Sequence, residues 1–327
     1  MTMIIFFGSD RFSAVVLGEL IKQNHAPKLV VTDPPKPARN ASHSDAGGPK
    51  VKKGVIVPNQ VENLAVTQSI NVAYYPSKSE SPNNLLELIA NHSSQGVITG
   101  LSASFPHLFP PSIINAFGGS LYNLHPSLLP QYRNVAPGPY AIATGDKVTG
   151  ISLFPIGIGI DNGQLVGQQK ELILPTDTTS TLLTRLFTIG TELFIKYLDE
   201  PHNPNLTNDI PVMSSSELIF TRKLTRESGF IEWDIVQKLI NNKAITKDEI
   251  SNPLIKLRLT NHPERTESIL TDLIRALDTY ERVWTVAKSK KGELQLTLSL
   301  SPSGEIMVLI PGKPKPISYS QFLSNYQ

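Results

Sequence analysis

Asn123 and His125 stand two residues apart in "LYNLHPSLLPQYR", where an apolar run meets a proline. On an extended strand, side chains two apart project from the same face, so an amide donor and an imidazole are presented side by side. Pro126 removes a ladder donor and biases His125 toward an extended backbone, which ends the strand there. Such a pair can grip a carbonyl oxygen as it gains negative charge. A second stretch, "TGISLFPIGIGIDNGQLVGQQ" (149–169), runs from a strand into a glycine-rich loop with one carboxylate, Asp161. From that loop Asp161 could reach the His125 ring, orient it and favour its charged form. Each residue also has a plainer reading: a hydrogen-bonded histidine beside a turn, and an aspartate that opens a D-N-G turn.

Open α/β sheets bind ligands at the carboxyl ends of parallel strands, and the chain has the pattern to place the pair there. Apolar runs at 3–7, 28–32, 96–101, 120–125, 149–154 and 165–172 alternate with helical patterns near 12–23, 60–69, 82–91, 136–144 and 178–198. This predicts an α/β fold, a Rossmann-like, mostly parallel sheet with covering helices. After the first strand, "GSDRFS" keeps only Gly8 of a G-x-G-x-x-G fingerprint, so close approach of a dinucleotide pyrophosphate is not supported. Ser9 or Asp10 reads there as a helix N-cap. No P-loop motif is present. The proline- and asparagine-rich "DEPHNPNLTNDIP" reads as a linker, which divides the chain into a catalytic domain (1–204), a linker (205–215) and a C-terminal domain (216–327). In that last part, one helical stretch at 266–278, the alternation Leu294, Leu296, Leu298, Leu300 and the turn "SPSG" predict a smaller β-barrel-like, OB-like domain.

Composition narrows the chemistry. The 327 residues are 40% hydrophobic and 18% charged, and no apolar run approaches the roughly 20 residues of a membrane span. With no cysteine, thiolate catalysis, disulfides and cysteine metal sites are excluded. The net charge is only +2, yet residues 34–54 hold Lys36, Arg39, Lys50, Lys52 and Lys53 against Asp45, a local +4. Charge concentrated in a glycine- and proline-rich loop suits phosphates, and is equally the composition of a solvated loop. From Ser216 on, sixteen Lys and Arg face thirteen Asp and Glu, a modest basic bias. No targeting sequence precedes the first strand, so the chain is expected either to work where it is made or to have lost a leader.

Asn123, His125, "SLLP" at 127–130 and Asp161 in "IDNG" resemble the 10-formyltetrahydrofolate-dependent formyltransferases. "FFGSDRFSAVVLGEL", "VVTDPPKPA", "APGPYAIATGDKVTGISL" and "FTRKLTRESGFIEWD" are similar to the branch that acts on methionyl-tRNA, and the likeness is specific over about residues 1–235. The resemblance implies formyl transfer from 10-formyltetrahydrofolate to initiator methionyl-tRNA, with no metal. It assigns catalysis to Asn123, His125 and Asp161, and the folate to Ser104, Phe105, Pro106, His107, Leu108, Ser127, Leu128, Leu129 and Pro130. It gives tRNA to Lys36, Arg39, Lys50, Lys52 and Lys53. The same chemistry on a small amine, such as an amino sugar or a purine precursor, and a non-catalytic RNA- or folate-binding relative are the alternatives. Three departures stand out: Pro106 and Asn134 where the family has glycine, and Gln164 where it often has aspartate. Asparagine tolerates positive φ, so the Asn134 turn is expected to survive. The wording of "FFGSD" and "HPSLLP" resembles organellar, especially fungal, members, so a monomer in the mitochondrial matrix is expected, with a bacterial cytoplasm as the alternative.

Overall fold

The computed structural model describes residues 2–37, 56–77, 79–201, 203–206, 218–280, 282–290 and 292–326. Arg39, Lys50, Lys52 and Lys53 of the basic stretch and residues 207–215 of the expected linker lie outside the described residues. The chain opens with β1 (Met3–Phe7), α1 (Arg11–Lys22) and β2 (Leu29–Thr32). Both strands are apolar and almost fully buried, the composition of parallel strands covered on two faces. α1 starts where the Asp10 carboxylate accepts the amides of Phe12 and Ser13, each at 2.9 Å, so Asp10 is the N-cap of this turn. β3 (Lys36–Pro37) and β4 (Ile56–Val57) pair as a short antiparallel ribbon. Next come α2 (Gln60–Thr67), β5 (Asn71–Tyr74), α3 (Asn83–Ser93), β6 (Ile98–Ala103), α4 (Pro111–Ala116) and β7 (Leu121–His125). α5 (Pro137–Ala143), β8 (Val148–Pro155), β9 (Gly167–Leu172) and α6 (Thr179–Asp199) complete this part.

The sheet order is β5-β2-β1-β6-β7-β8-β9. β5 through β7 run parallel, and β8 is antiparallel to β7, with Tyr122 opposite Pro155 and His125 opposite Ser152. The mostly parallel α/β fold is the one the periodicity predicts, with boundaries within two residues for the strands and helices expected. β5 and α4 were not expected. β5 is a four-residue edge strand with its ends exposed, and α4 is a six-residue helix opened by Pro111, both too short for periodicity to register.

Internal packing divides the chain into two units. Met1–His125, Ile151–Gln169 and Thr184–Ile210 form the first, which holds most of this sheet. One face buries Ile5, Phe7, Leu29, Val31, Ile113, Phe117 and Leu121 in a single cluster. On the other, α6 comes so close at Gly190 that a Cβ there would lie 2.8 Å from Ile151 Cγ1.

The second unit comprises Pro126–Gly150, Lys170–Leu183 and Pro211–Gln327. It adds α7 (Trp233–Ile240), α8 (Pro253–Asn261), α9 (Ile269–Ala276), β10 (Trp284–Ser289), β11 (Gly292–Leu300), β12 (Ile306–Leu309), β13 (Ile317–Ser318) and α10 (Tyr319–Tyr326). The C-terminal strands form a separate four-stranded antiparallel sheet in chain order, burying Leu296 and Leu298 as the alternation requires. α7 and α8 are helices that the barrel-like expectation did not include; "GFIEWD" makes a bridge from Phe230 to Trp284 before helix begins at Trp233. Asn252 caps α8 by accepting the amides of Leu254 and Ile255 at 3.0 and 3.1 Å. The buried Arg258 guanidinium meets Asp272 at 2.8 Å, giving the interior of this unit a compensated charge. Among the described residues, no helix is long and apolar enough to cross a membrane.

Candidate active site

The alternation of β7 separates its packing from its chemistry. Tyr122 and Leu124 face α6, with the Tyr122 ring 5.2 Å from Tyr197 and its hydroxyl 3.0 Å from the Tyr197 hydroxyl. Burial pushes the Tyr122 phenol well above its ordinary range, and the Tyr197 hydrogen bond adds to this. Leu121, Asn123 and His125 take the opposite face. Leu121 is part of the apolar cluster, and beyond it the half-buried Asn123 and the 5% exposed His125 end the strand.

β8 ends at Pro155 opposite Tyr122, at the start of β7, so the loop to β9 must reach back toward the end of β7 to meet His125. Asp161 in that loop places Oδ2 3.5 Å from His125 Nδ1, with the two side chains 13% and 6% exposed. The loop backbone shows why the motif reads I-D-N-G. Asp161 has φ 46°, a left-handed conformation that aspartate tolerates better than most residues. The Asn162 side chain donates to the Ile158 carbonyl at 3.1 Å. Gly163 lies so near the end of β8 that a Cβ would stand 2.2 Å from the Pro155 carbonyl oxygen. Gln164 is exposed.

Polar residues that the motifs did not reveal support the pair. Ser102 of β6 is in register with Asn123, and Ser152 of β8 with His125. Both serines are buried, and Gln168 donates to the Ser152 hydroxyl at 2.7 Å. Their only signal in the sequence is a serine inside a mostly apolar run, in "GLSA" and "GISLF".

Residues 104–108 follow the end of β6. Ser13 donates to the Ala103 carbonyl at 2.7 Å, and the Ser104 hydroxyl donates to Asp10 at 2.6 Å, tying the segment to the start of α1. Phe105 packs its ring among Phe7, Tyr75 and Phe109. His107 Nε2 lies 2.5 Å from Asp33 Oδ1, and its ring stacks on Tyr75 at 4.7 Å. The Tyr75 hydroxyl donates to the Leu108 carbonyl at 3.0 Å, and burial pushes this phenol up to about 12. The side chains of Ser104, Phe105 and His107 are therefore committed to the protein. What the segment offers a ligand is backbone beyond the ladder of β6 and the apolar Leu108 side chain, 77% exposed. Pro106 is exposed and brings no N–H.

Ser127–Pro130 belong to the second unit. Ser127 is fully buried and donates to the Gln131 carbonyl at 2.6 Å; Leu129 is buried too. In the same unit Asn134 adopts φ 84° and donates to the Thr221 carbonyl at 3.1 Å, so asparagine serves at this left-handed position. Lys36 is exposed on β3, with Nζ 3.3 Å from Asp33 Oδ2.

A family model described as "Formyl transferase" matches residues 1–198. The methionyl-tRNA formyltransferase of Staphylococcus epidermidis is 32% identical over 242 residues, covering 74% of this chain and 72% of that protein. That of Enterococcus faecalis is 29% identical over 244 residues, covering 75% and 72%. Among solved structures, a candidate sugar N-formyltransferase from Mycobacterium tuberculosis superposes with a TM-score of 0.52 at 16% identity, over 92% of this chain and 99% of that one. This likeness is one of fold.

Proposed function

This chain belongs to the formyl transferase family, and on that premise we propose that it moves the formyl group of 10-formyltetrahydrofolate onto the α-amino group of methionine carried by initiator tRNA. An α-amino group titrates near ~8, so a useful fraction is neutral at physiological pH and no strong base is needed. The chain supplies alignment, worth up to roughly 7–11 kcal/mol in the best-oriented reactions, and a place for the charge that grows on the formyl oxygen. Asn123 donates its amide N–H to that oxygen. His125 stabilises the same oxygen and passes the proton lost by the amine to the departing folate nitrogen. Asp161, on the Nδ1 side, orients the ring and stabilises the imidazolium. The observation that carries this reading is the 3.5 Å approach of Asp161 to His125, beside Asn123 on one face of β7.

The donor fits the segment after β6: amides of Phe105, His107 and Leu108 lie beyond the sheet ladder for a polar ring edge, and Leu108 gives the ring apolar surface. Ser127–Pro130 are the other donor-contact candidates. The +4 stretch beginning at Lys36 suits RNA phosphates. On the wording of its motifs its compartment is the mitochondrial matrix, with a bacterial cytoplasm as the alternative, and we take it to act as a monomer. Purified protein offered charged initiator tRNA, an amino sugar and a purine-precursor amine should formylate the tRNA. Transfer only to a small amine overturns the substrate assignment; binding of folate or RNA without any transfer makes the chain a non-catalytic relative.

A further inference from the structure

Asp33 is held by its backbone and shared by its side chain. Its N–H donates to Ser9 Oγ at 3.0 Å and its carbonyl accepts from Asn59 Nδ2 at 3.1 Å, so the residue itself is fixed. One carboxylate oxygen meets His107 Nε2 at 2.5 Å and the other meets Lys36 Nζ at 3.3 Å. An ionised carboxylate only accepts, so Nε2 is the donor. The two partners differ in how readily they can leave. Lys36 is 73% exposed, whereas His107 is 33% exposed and wedged against Tyr75 and, at 4.9 Å, Phe105. Tyr75 in turn holds the Leu108 carbonyl, so the His107 end of the segment is braced by this platform.

We propose that Asp33 couples the two substrates: an RNA phosphate that draws Lys36 away leaves the carboxylate to His107 alone and so fixes the donor-binding segment 104–108. The inference rests on the functional reading above, which gives that segment to the folate and Lys36 to the tRNA. A carboxylate relieved of one cation is a stronger acceptor for the remaining N–H, and a firmer segment loses less freedom when the donor binds. Because coupling is reciprocal, folate tightens tRNA binding by the same factor.

The test is calorimetric titration of tetrahydrofolate into the full chain, with and without saturating uncharged initiator tRNA, at low and high salt. The wild-type protein should bind tetrahydrofolate about threefold to tenfold tighter with tRNA at low salt, and the factor should shrink as salt rises. Lys36→Ala should bind tightly whether or not tRNA is present, and Asp33→Asn weakly in both cases, each with a melting temperature near that of the wild type. An unchanged tRNA effect in either variant, or weakened folate binding in Lys36→Ala, overturns the coupling. A wild-type protein that binds neither ligand overturns the functional reading itself and the coupling with it.

Discussion

Among the described residues of the first unit, two histidine–aspartate pairs are built for different ends. His107 and Asp33 are closed at 2.5 Å, partly exposed, and braced by aromatic rings. His125 is buried and Asp161 mostly buried, yet the two stand 3.5 Å apart, one on a strand end and the other on a loop with left-handed backbone. The same residue types thus make a fastener in one place and the proposed reactive centre in the other. A group that must take up and release a proton needs a neighbour that stabilises its charge; a group that fixes two loops needs a short, closed contact.

The sharpest way to break this comparison is to remove each imidazole. His125→Ala should lower kcat on the order of 10³-fold, whereas His107→Leu should leave kcat within about threefold and raise the folate KM. Equal losses of kcat would erase the distinction. Asp161→Asn should cost on the order of 10²-fold in kcat in steady-state assays with charged tRNA, less than loss of the ring, because the amide keeps the shape of the loop but not its charge. Gly163→Ala leaves every reactive group present but forces a Cβ toward the Pro155 carbonyl oxygen at 2.2 Å. About tenfold lower kcat and a loss of ~1–3 kcal/mol in denaturant unfolding are expected, since the clash must be relieved by moving the loop. The smallest effect concerns the platform under His107. A phenol in the unfolded chain titrates near ~10. Burial pushes Tyr75 up to about 12, so between these values the unfolded chain sheds the proton first and stability falls as pH rises. Tyr75→Phe should flatten that part of the decline in urea midpoints measured across the interval.

The approach of Asp161 to His125 was legible because each half sits in a local pattern. His125 precedes a proline at the end of an apolar run, and Asp161 lies among glycines between two strands. The mostly parallel sheet was legible because its central strands are buried on both faces and read as unbroken apolar runs. The fastener was not: His107 and Asp33 are 74 positions apart, and neither carries a pattern that points to the other. His107 entered only as part of the folate segment, where its side chain is instead occupied by Asp33. Ser102 and Ser152 escaped for a related reason, since register across strands is set by the folded sheet. α7 and α8 were hidden because both are short, of eight and nine residues, and capping of α8 by Asn252 became visible only with its amide partners in place.

The reversed strand β8 has one more consequence. It and β9 close the sheet at its border, and the loop between them carries Asp161, so the carboxylate is moored to the part of the sheet with the fewest neighbours. Borders of sheets fray before their middles. Gentle warming is therefore expected to silence turnover reversibly while the parallel centre stays shut, so that activity lost on heating precedes the melting followed by circular dichroism.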